Sequence, residues 1–235
     1  GTSVSGNTLT ATNDGSSSCD ATGNDVWYTI TNGPDSGTLL LNTCGATIDT
    51  VISVYSSCPG TLTNEIACND DCGGTPCGGP GSCLSVPIAA GQTLKIRVSD
   101  KGGPGGAFTL NWSLLVPPPA NDECATATVI SGNGPFPLDN RFATPVTPLV
   151  DLCGTRDAGR DVWYAWTSSS PGSVMVNTCT GAGTWDSVLA VYTGSCSSLT
   201  PVGCNDDTAG CGGGLQSSLT FTAACNTTYY IPVSY

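Results

Sequence analysis

The chain is 235 residues long, only 10% of them charged, with 31 Gly, 16 Pro and 6 Lys and Arg together; the usual material of solvent-facing helices is missing, and an all-β chain rich in turns is implied. A formal net charge of −12 repels phosphate backbones and anionic membrane surfaces, whose binding needs clustered Lys and Arg, and so excludes nucleic acid as a partner. The 14 cysteines do not suit a reducing cytosol and point to disulfides made in an oxidising compartment, hence to a secreted or cell-surface protein.

The first patterned stretch is NDVWYTIT (24–31), followed by the turn cluster NGPDSG (32–37) and by LLNTCGATIDTVISVY (40–55). CNDDC (68–72) comes next. In LKIRVSD (94–100) Leu94, Ile96 and Val98 alternate with Lys95 and Arg97, and in FTLNWSLLV (108–116) Phe108, Leu110, Trp112 and Leu114 alternate with Thr109, Asn111 and Ser113. A period of two predicts strands with one buried face, and the intervening GGPGG (102–106) supplies a turn. VPPPAN (116–121) cannot continue a central strand and reads as a stiff linker. In NDECATATVI (121–130) Asn121 is placed to cap one helical turn.

The pattern then returns as RDVWYAWT (160–167), MVNTCTGAGTWDSVLAVY (175–192), CNDDT (204–208) and YYIPVSY (229–235). Pro232 in the last run predicts an edge or bulged strand, since proline donates nothing to a ladder. Two homologous modules, 1–116 and 117–235, are the simplest account, each an antiparallel β-sandwich. They are incomplete in complementary ways: the first has no counterpart of NDECATATVI, and the second none of the apolar strand FTLNWSLLV. A sandwich short of a strand exposes an unpaired edge and an open core, so an excerpt of a longer array or subunits that complete one another is expected. No apolar run approaches the roughly 18 residues of a membrane span, and no membrane insertion is expected.

Four cysteines per module occupy matching positions, Cys19, Cys44, Cys58 and Cys68 against Cys153, Cys179, Cys196 and Cys204. Folding VWYTIT back on TLLLNT about a turn near Asp35 predicts Cys19–Cys44 and, in the repeat, Cys153–Cys179. Cys58–Cys68 and Cys196–Cys204 then close the next hairpin, provided that Cα separation allows each. Cys72, Cys77 and Cys83 remain in the first module and Cys124, Cys211 and Cys225 in the second. Three is odd, which implies a bridge between modules or to a neighbouring chain unless a thiol stays free; Cys211 and Cys225 are counted with the bridged set. The run Cys68, Cys72, Cys77, Cys83 is also a candidate zinc or iron–sulfur site, although the second module lacks most of it.

The absence of histidine removes Ser-His and Cys-His nucleophile pairs and every histidine zinc site. Neither a nucleophile elbow nor a phosphate-binding loop occurs. The carboxylate pairs Asp70/Asp71 and Asp206/Asp207 are adjacent in sequence, and neighbours on a strand point to opposite faces rather than flanking one bond. No enzyme is expected. Asp49, Asn69, Asp70 and Asp71 should instead gather at one end of a sheet, with Asp186, Asn205, Asp206 and Asp207 repeating the arrangement. Calcium, which takes roughly six to eight oxygens, fits such a group; Asx-turns at strand ends are the alternative. Trp27 and Trp163 could stack on sugars, but alternating strands favour core packing for them.

The motifs DVWY, NTC, VY, CNDD and VSD or VSY, introduced by NDEC, resemble bacterial pre-peptidase C-terminal domains, in particular the cysteine-rich tandem type of large secreted and surface proteins. The likeness covers almost all of both modules. The resemblance implies a jelly-roll-like sandwich without catalytic activity, sometimes stabilised by calcium, that accompanies secreted peptidases or builds adhesive and surface proteins. In calcium-binding relatives acidic residues near the domain start take part, and Asn121, Asp122, Glu123, Asp139 and Asp161 are the closest counterparts here. The expected function is that of a non-enzymatic extracellular structural module, the repeating subunit of a fibre, filament or surface layer joined head-to-tail to copies of itself by strand complementation. The alternative is an accessory protein- or carbohydrate-binding pair from a large secreted hydrolase or adhesin.

Overall fold

The structure, a computed structural model, describes residues 1–74, 77–145, 153, 159–179 and 185–234. The chain divides into two compact units, Gly1–Val116 and Pro117–Tyr235, and among the described residues no helix is long and apolar enough to cross a membrane.

The first module contains β1 (Thr2–Asn7), β2 (Asp25–Thr31), β3 (Gly37–Asn42), β4 (Thr50–Tyr55), β5 (Glu65–Asn69), β6 (Cys83–Ile88), β7 (Thr93–Asp100) and β8 (Ala107–Leu115). They form two four-stranded sheets, β1-β8-β3-β6 and β2-β7-β4-β5. Leu39, Leu41, Val86, Phe108 and Leu110 of one sheet meet Ile52, Val54, Leu94, Ile96 and Val98 of the other in a single core. Strand alternation thus does what the sequence pattern implies, and each sheet turns one apolar face inward.

The turn near Asp35 does not make a hairpin. β2 pairs with β7, whereas β3 pairs with β6 and β8, so the turn carries the chain from one sheet to the other. The segment between β1 and β2 crosses the outer face of the β2-β7-β4-β5 sheet and reaches β5, where the Ser18 N–H donates to Glu65 Oε2 at 2.8 Å. Under this strap lies Arg97, fully buried although the alternation of β7 placed it on the polar face. Its Nε donates to Asp25 Oδ2 at 2.6 Å, its Nη1 to the Asp20 carbonyl at 3.0 Å, and its Nη2 to Asp20 Oδ2 at 3.3 Å and the Gly23 carbonyl at 3.1 Å. Ser99 Oγ donates to the same Asp20 carboxylate at 2.7 Å. β7 is therefore covered on both faces, one by the core and one by a polar strap.

Among the described residues the second module contains a 3₁₀ turn, Cys124–Thr126, followed by β9 (Thr128–Ile130), β10 (Val162–Thr167), β11 (Gly172–Asn177), β12 (Val188–Ser195), β13 (Ser198–Asn205), β14 (Ser218–Ala223) and β15 (Thr228–Ser234). Their sheets are β13-β12-β15-β10-β9 and β11-β14. The helical turn has Glu123, not Asn121, at its start, with no side-chain cap. Pro232 lies in β15, between β12 and β10, and not at an edge. The missing N–H is tolerated because the ladder to β12 is interrupted there, with pairs at Leu189↔Val233 and Tyr192↔Tyr230.

Six disulfides form, each within one module: Cys19–Cys68, Cys44–Cys77 and Cys72–Cys83 in the first, Cys124–Cys196, Cys153–Cys204 and Cys179–Cys211 in the second. The expected Cys19–Cys44, Cys153–Cys179, Cys58–Cys68 and Cys196–Cys204 pairs are all replaced. The cause is the sheet change at Asp35: Cys19 rides the strap to β5 and Cys68, while Cys44, at the end of β3, faces the loop that enters the neighbouring β6. Cys58 and Cys225 carry no bridge and are exposed. With Cys68, Cys72, Cys77 and Cys83 all consumed in disulfides, the zinc and iron–sulfur readings fall.

Breaking a buried ion pair leaves its partner charge uncompensated, so Arg97→Ala is expected to lower the stability of the first module by about 3–5 kcal/mol in chemical denaturation. Burial opposes ionisation of Asp20, but the Ser99 hydroxyl, the N–H groups of Thr22 and Gly23 and the Arg97 charge outweigh it and hold the carboxyl below its ordinary 3.8. A depressed carboxyl contributes stability that is complete above its unfolded value and lost as pH falls through the folded one. Acid unfolding of the first module should therefore steepen below pH 3.8, and Asp20→Asn should remove that part of the pH dependence.

Candidate functional site

β11 and β14 reproduce β3 and β6 position for position: Gly37↔Ile88 and Leu39↔Val86 in the first module correspond to Gly172↔Ala223 and Val174↔Phe221 in the second. In the first module β3 is flanked on its other side by β8, with Leu39↔Leu114 and Leu41↔Trp112. In the second, no strand among the described residues lies beyond β11. The consequence is visible in burial. Leu39 and Leu41 are each 2% exposed, whereas their counterparts Val174 and Val176 are only half-buried.

A cleft of about 1320 Å³ opens where β8 would lie, lined by Phe136, Leu138, Tyr164, Trp166, Val174 and Val176, with Asn140, Arg141 and Arg160 among its polar residues. The segment corresponding to β1 has moved as well. SVSGN (3–7) and VISGN (129–133) match, yet β1 pairs antiparallel with β8 while β9 pairs parallel with β10, through Val129↔Ala165 and Ile130↔Trp166. β9 takes the edge of the other sheet, where its main chain finds partners on β10.

The acidic residues gather as the sequence implies. One carboxylate oxygen from each of Asp49, Asp70 and Asp71 lies within 4.8 Å of the others, and Asp186, Asp206 and Asp207 repeat the group. The two amides play a different part. Asn69 donates to the Asp71 carbonyl at 3.2 Å and accepts from the Cys83 N–H at 3.1 Å. Asn205 donates to the Asp207 carbonyl at 3.3 Å and accepts from the Ser218 N–H at 2.9 Å. They tie each turn to the following strand as Asx-turn residues do, and Lys101 Nζ is paired with Asp70.

Beneath each group runs a buried hydroxyl network that sequence reasoning missed. Thr43 and Thr50 are 2.6 Å apart, and Ser82 Oγ bonds the carbonyls of Thr50 and Asp70. Thr178, Ser187 and Ser217 repeat it, with Thr178 and Ser187 2.7 Å apart and Ser217 Oγ on the carbonyls of Ser187 and Asp206. The recurring NTC motif, which contains Thr43 and Thr178, was its only outward signal.

The residues near the start of the second module hold protein groups instead. Asn121 receives the Trp163 N–H at 2.8 Å and donates through Nδ2 to the Trp163 carbonyl at 3.1 Å. Asp122 takes both the N–H and the hydroxyl of Thr144 at 2.6 Å, and Asp161 takes the Trp163 indole at 2.5 Å. Asp139 pairs with Arg141 at 2.7 Å, and Glu123 is exposed. Among the described residues these five do not join either carboxylate group. Trp163 and Trp27 pack against Tyr192 and Tyr55, with ring centroids 6.3 and 5.2 Å apart; Trp163 is buried, and neither ring is an open platform for a sugar.

A family model described as galactose binding domain-like, of a T9SS-associated type, matches residues 1–102 and again 120–232. The chain belongs to this family. The two galactose-binding-domain-like modules thus account for the internal repeat, and the T9SS association joins the disulfides in pointing to a secreted or surface protein. No curated protein matches the chain. Among solved structures, the crystal structure of PBSX exported protein XepA is similar at 9% identity over 98% of this chain and 86% of that one, with a TM-score of 0.27.

The unpaired flank of β11 gives a direct expectation for hydrogen exchange. Alternate amides in Gly172–Asn177 should exchange much faster than the rest, while all amides of Thr38–Asn42, bonded on both sides, stay protected.

Proposed function

We propose that this chain is a non-enzymatic extracellular structural module, one link in a fibre, filament or surface array assembled head-to-tail by strand complementation. The observation that supports the reading is the flank of β11, which no strand among the described residues pairs, above an apolar cleft at the place β8 fills in the first module. An open edge of this kind is a template for strand addition: main-chain hydrogen bonds supply affinity, and pockets for alternate side chains supply selectivity. The occupant implied by the first module is a β8-type strand, antiparallel to β11, with apolar groups at the positions of Phe108, Leu110, Trp112 and Leu114. The galactose binding domain-like family supports a module without catalysis, although the comparisons do not show the pre-peptidase C-terminal resemblance.

A synthetic peptide spanning residues 107–116 tests this reading. It should bind one-to-one, raise the unfolding midpoint of the second module and suppress any filaments seen by electron microscopy. No binding and no shift in midpoint would remove the strand-acceptor reading.

A second reading, an accessory carbohydrate- or protein-binding pair, is favoured by the family description and by Tyr164, Trp166, Trp185, Arg141 and Arg160 in the same cleft. Retention on insoluble polysaccharide or collagen that the peptide displaces would support it over the polymer. We also propose calcium at the Asp49, Asp70, Asp71 and Asp186, Asp206, Asp207 groups, since three close carboxylates with carbonyls nearby suit a hard cation. Excess EGTA should then lower the thermal midpoint and added calcium restore it; an unchanged midpoint leaves the groups as solvated turns.

A further inference from the structure

We propose that Asp100 is the charged ligand of a cation site at the end of the first module's sandwich, where it holds a hard cation of the calcium class together with main-chain oxygens of the turn 101–106. Along β7 the core-facing row runs Leu94, Ile96, Val98 and then Asp100. Asp100 stands opposite Thr50 as Val98 stands opposite Ile52, on the same face of the sheet. An acid thus closes a row of apolar residues. Asp100 is 2% exposed, and its Oδ1 has no hydrogen-bond partner. β7 lies between β2 and β4, so the residue belongs to an interior strand and not to a rim of the sheet.

A buried carboxylate is expensive unless a cation or a set of donors compensates it, and the Lys and Arg residues of the first module are engaged elsewhere. Arg97 leaves β7 by the opposite face and is held by Asp20 and Asp25. Lys101 is paired with Asp70. Lys95, near the start of β7, donates to Thr29 Oγ1 at 2.9 Å. The neighbouring hydroxyls are taken as well: Thr50 Oγ1 bonds Thr43 Oγ1 at 2.6 Å, and Ser82 Oγ bonds the carbonyls of Thr50 and Asp70. The charge of Asp100 is left for a partner that the first module's own side chains do not supply.

The surroundings offer oxygens. Asp100 opens the run DKGGPGG (100–106), in which no residue after Lys101 carries a donor side chain. The turn is pinned at both ends. The Lys101 N–H donates to the Asp49 carbonyl at 3.0 Å, while the Gly106 N–H donates to Thr8 Oγ1 at 3.1 Å and the Gly106 carbonyl accepts the Thr8 N–H at 3.0 Å. Between these anchors the turn passes close to the carboxylate, since a Cβ on Gly103 would stand 3.7 Å from Asp100 Oδ2. Hard cations take carboxylate, carbonyl and water oxygens, and one carboxylate among carbonyls suits the weak binding, roughly 10⁻⁴–10⁻³ M, of extracellular modules. Asp100 is not a member of the Asp49, Asp70 and Asp71 group, and this site rests on none of the readings proposed above.

Calorimetric titration of the whole chain with calcium chloride, together with thermal melts, tests the site. Asp49→Asn, Asp71→Asn, Asp186→Asn and Asp207→Asn combined, all at exposed positions, dismantle the two carboxylate groups. This variant is expected still to bind one calcium and to show a calcium-dependent rise in the unfolding midpoint of the first module. Adding Asp100→Asn should weaken the remaining binding by about tenfold or more, because affinity in oxygen cages follows the number of charged ligands, and should abolish the midpoint shift. Binding that disappears with the four substitutions, or that survives Asp100→Asn undiminished, would overturn the proposal. The two calcium readings fail separately: loss with the four substitutions alone leaves the carboxylate groups as the site, whereas loss with Asp100→Asn alone removes them. No binding by the unaltered chain overturns both.

Discussion

A main-chain N–H or C=O taken from water must find a partner, and in a two-sheet sandwich this one requirement decides which strands sit beside which. β8 shows its reach. Where β8 is present, it bonds β1 on one side and β3 on the other, and Leu39 and Leu41 are sealed into the core. In the second module, where no strand among the described residues lies beside β11, β9 is bonded to β10, the valines of β11 are half-buried, and a cleft stands between the sheets. Two similar sequence patterns thus lie in different sheets.

The second organising feature is a strap of chain laid over the outer face of a sheet. In the first module it buries Arg97 against Asp20 and Asp25 and is pinned to β5 by Cys19–Cys68. A buried guanidinium is costly unless its donors are satisfied, and here two carboxylates and two carbonyls receive them. The second module dispenses with the charge, placing Pro232 opposite Trp163 where the first has Arg97 opposite Trp27, yet keeps the equivalent bridge Cys153–Cys204. In the first module the Cys19–Cys68 bridge thus holds the strap over the buried charge.

The carboxylate groups, the open cleft and the bare Cys58 all sit where strands end or lack a neighbour. The family to which the chain belongs is described as galactose binding domain-like.

The sequence alone determined the strand-built architecture, the doubling of the module and the gathering of Asp49 with Asp70 and Asp71, because each follows from local periodicity or from comparing one half with the other. The tertiary structure alone decided the disulfide partners, the burial of Arg97, the central position of Pro232 and the hydroxyl network under the acidic turns. Those depend on whether a turn such as that near Asp35 folds a strand back on its neighbour or carries it to the opposite sheet. Both courses leave the same alternation in the residues, so only long-range pairing distinguishes them.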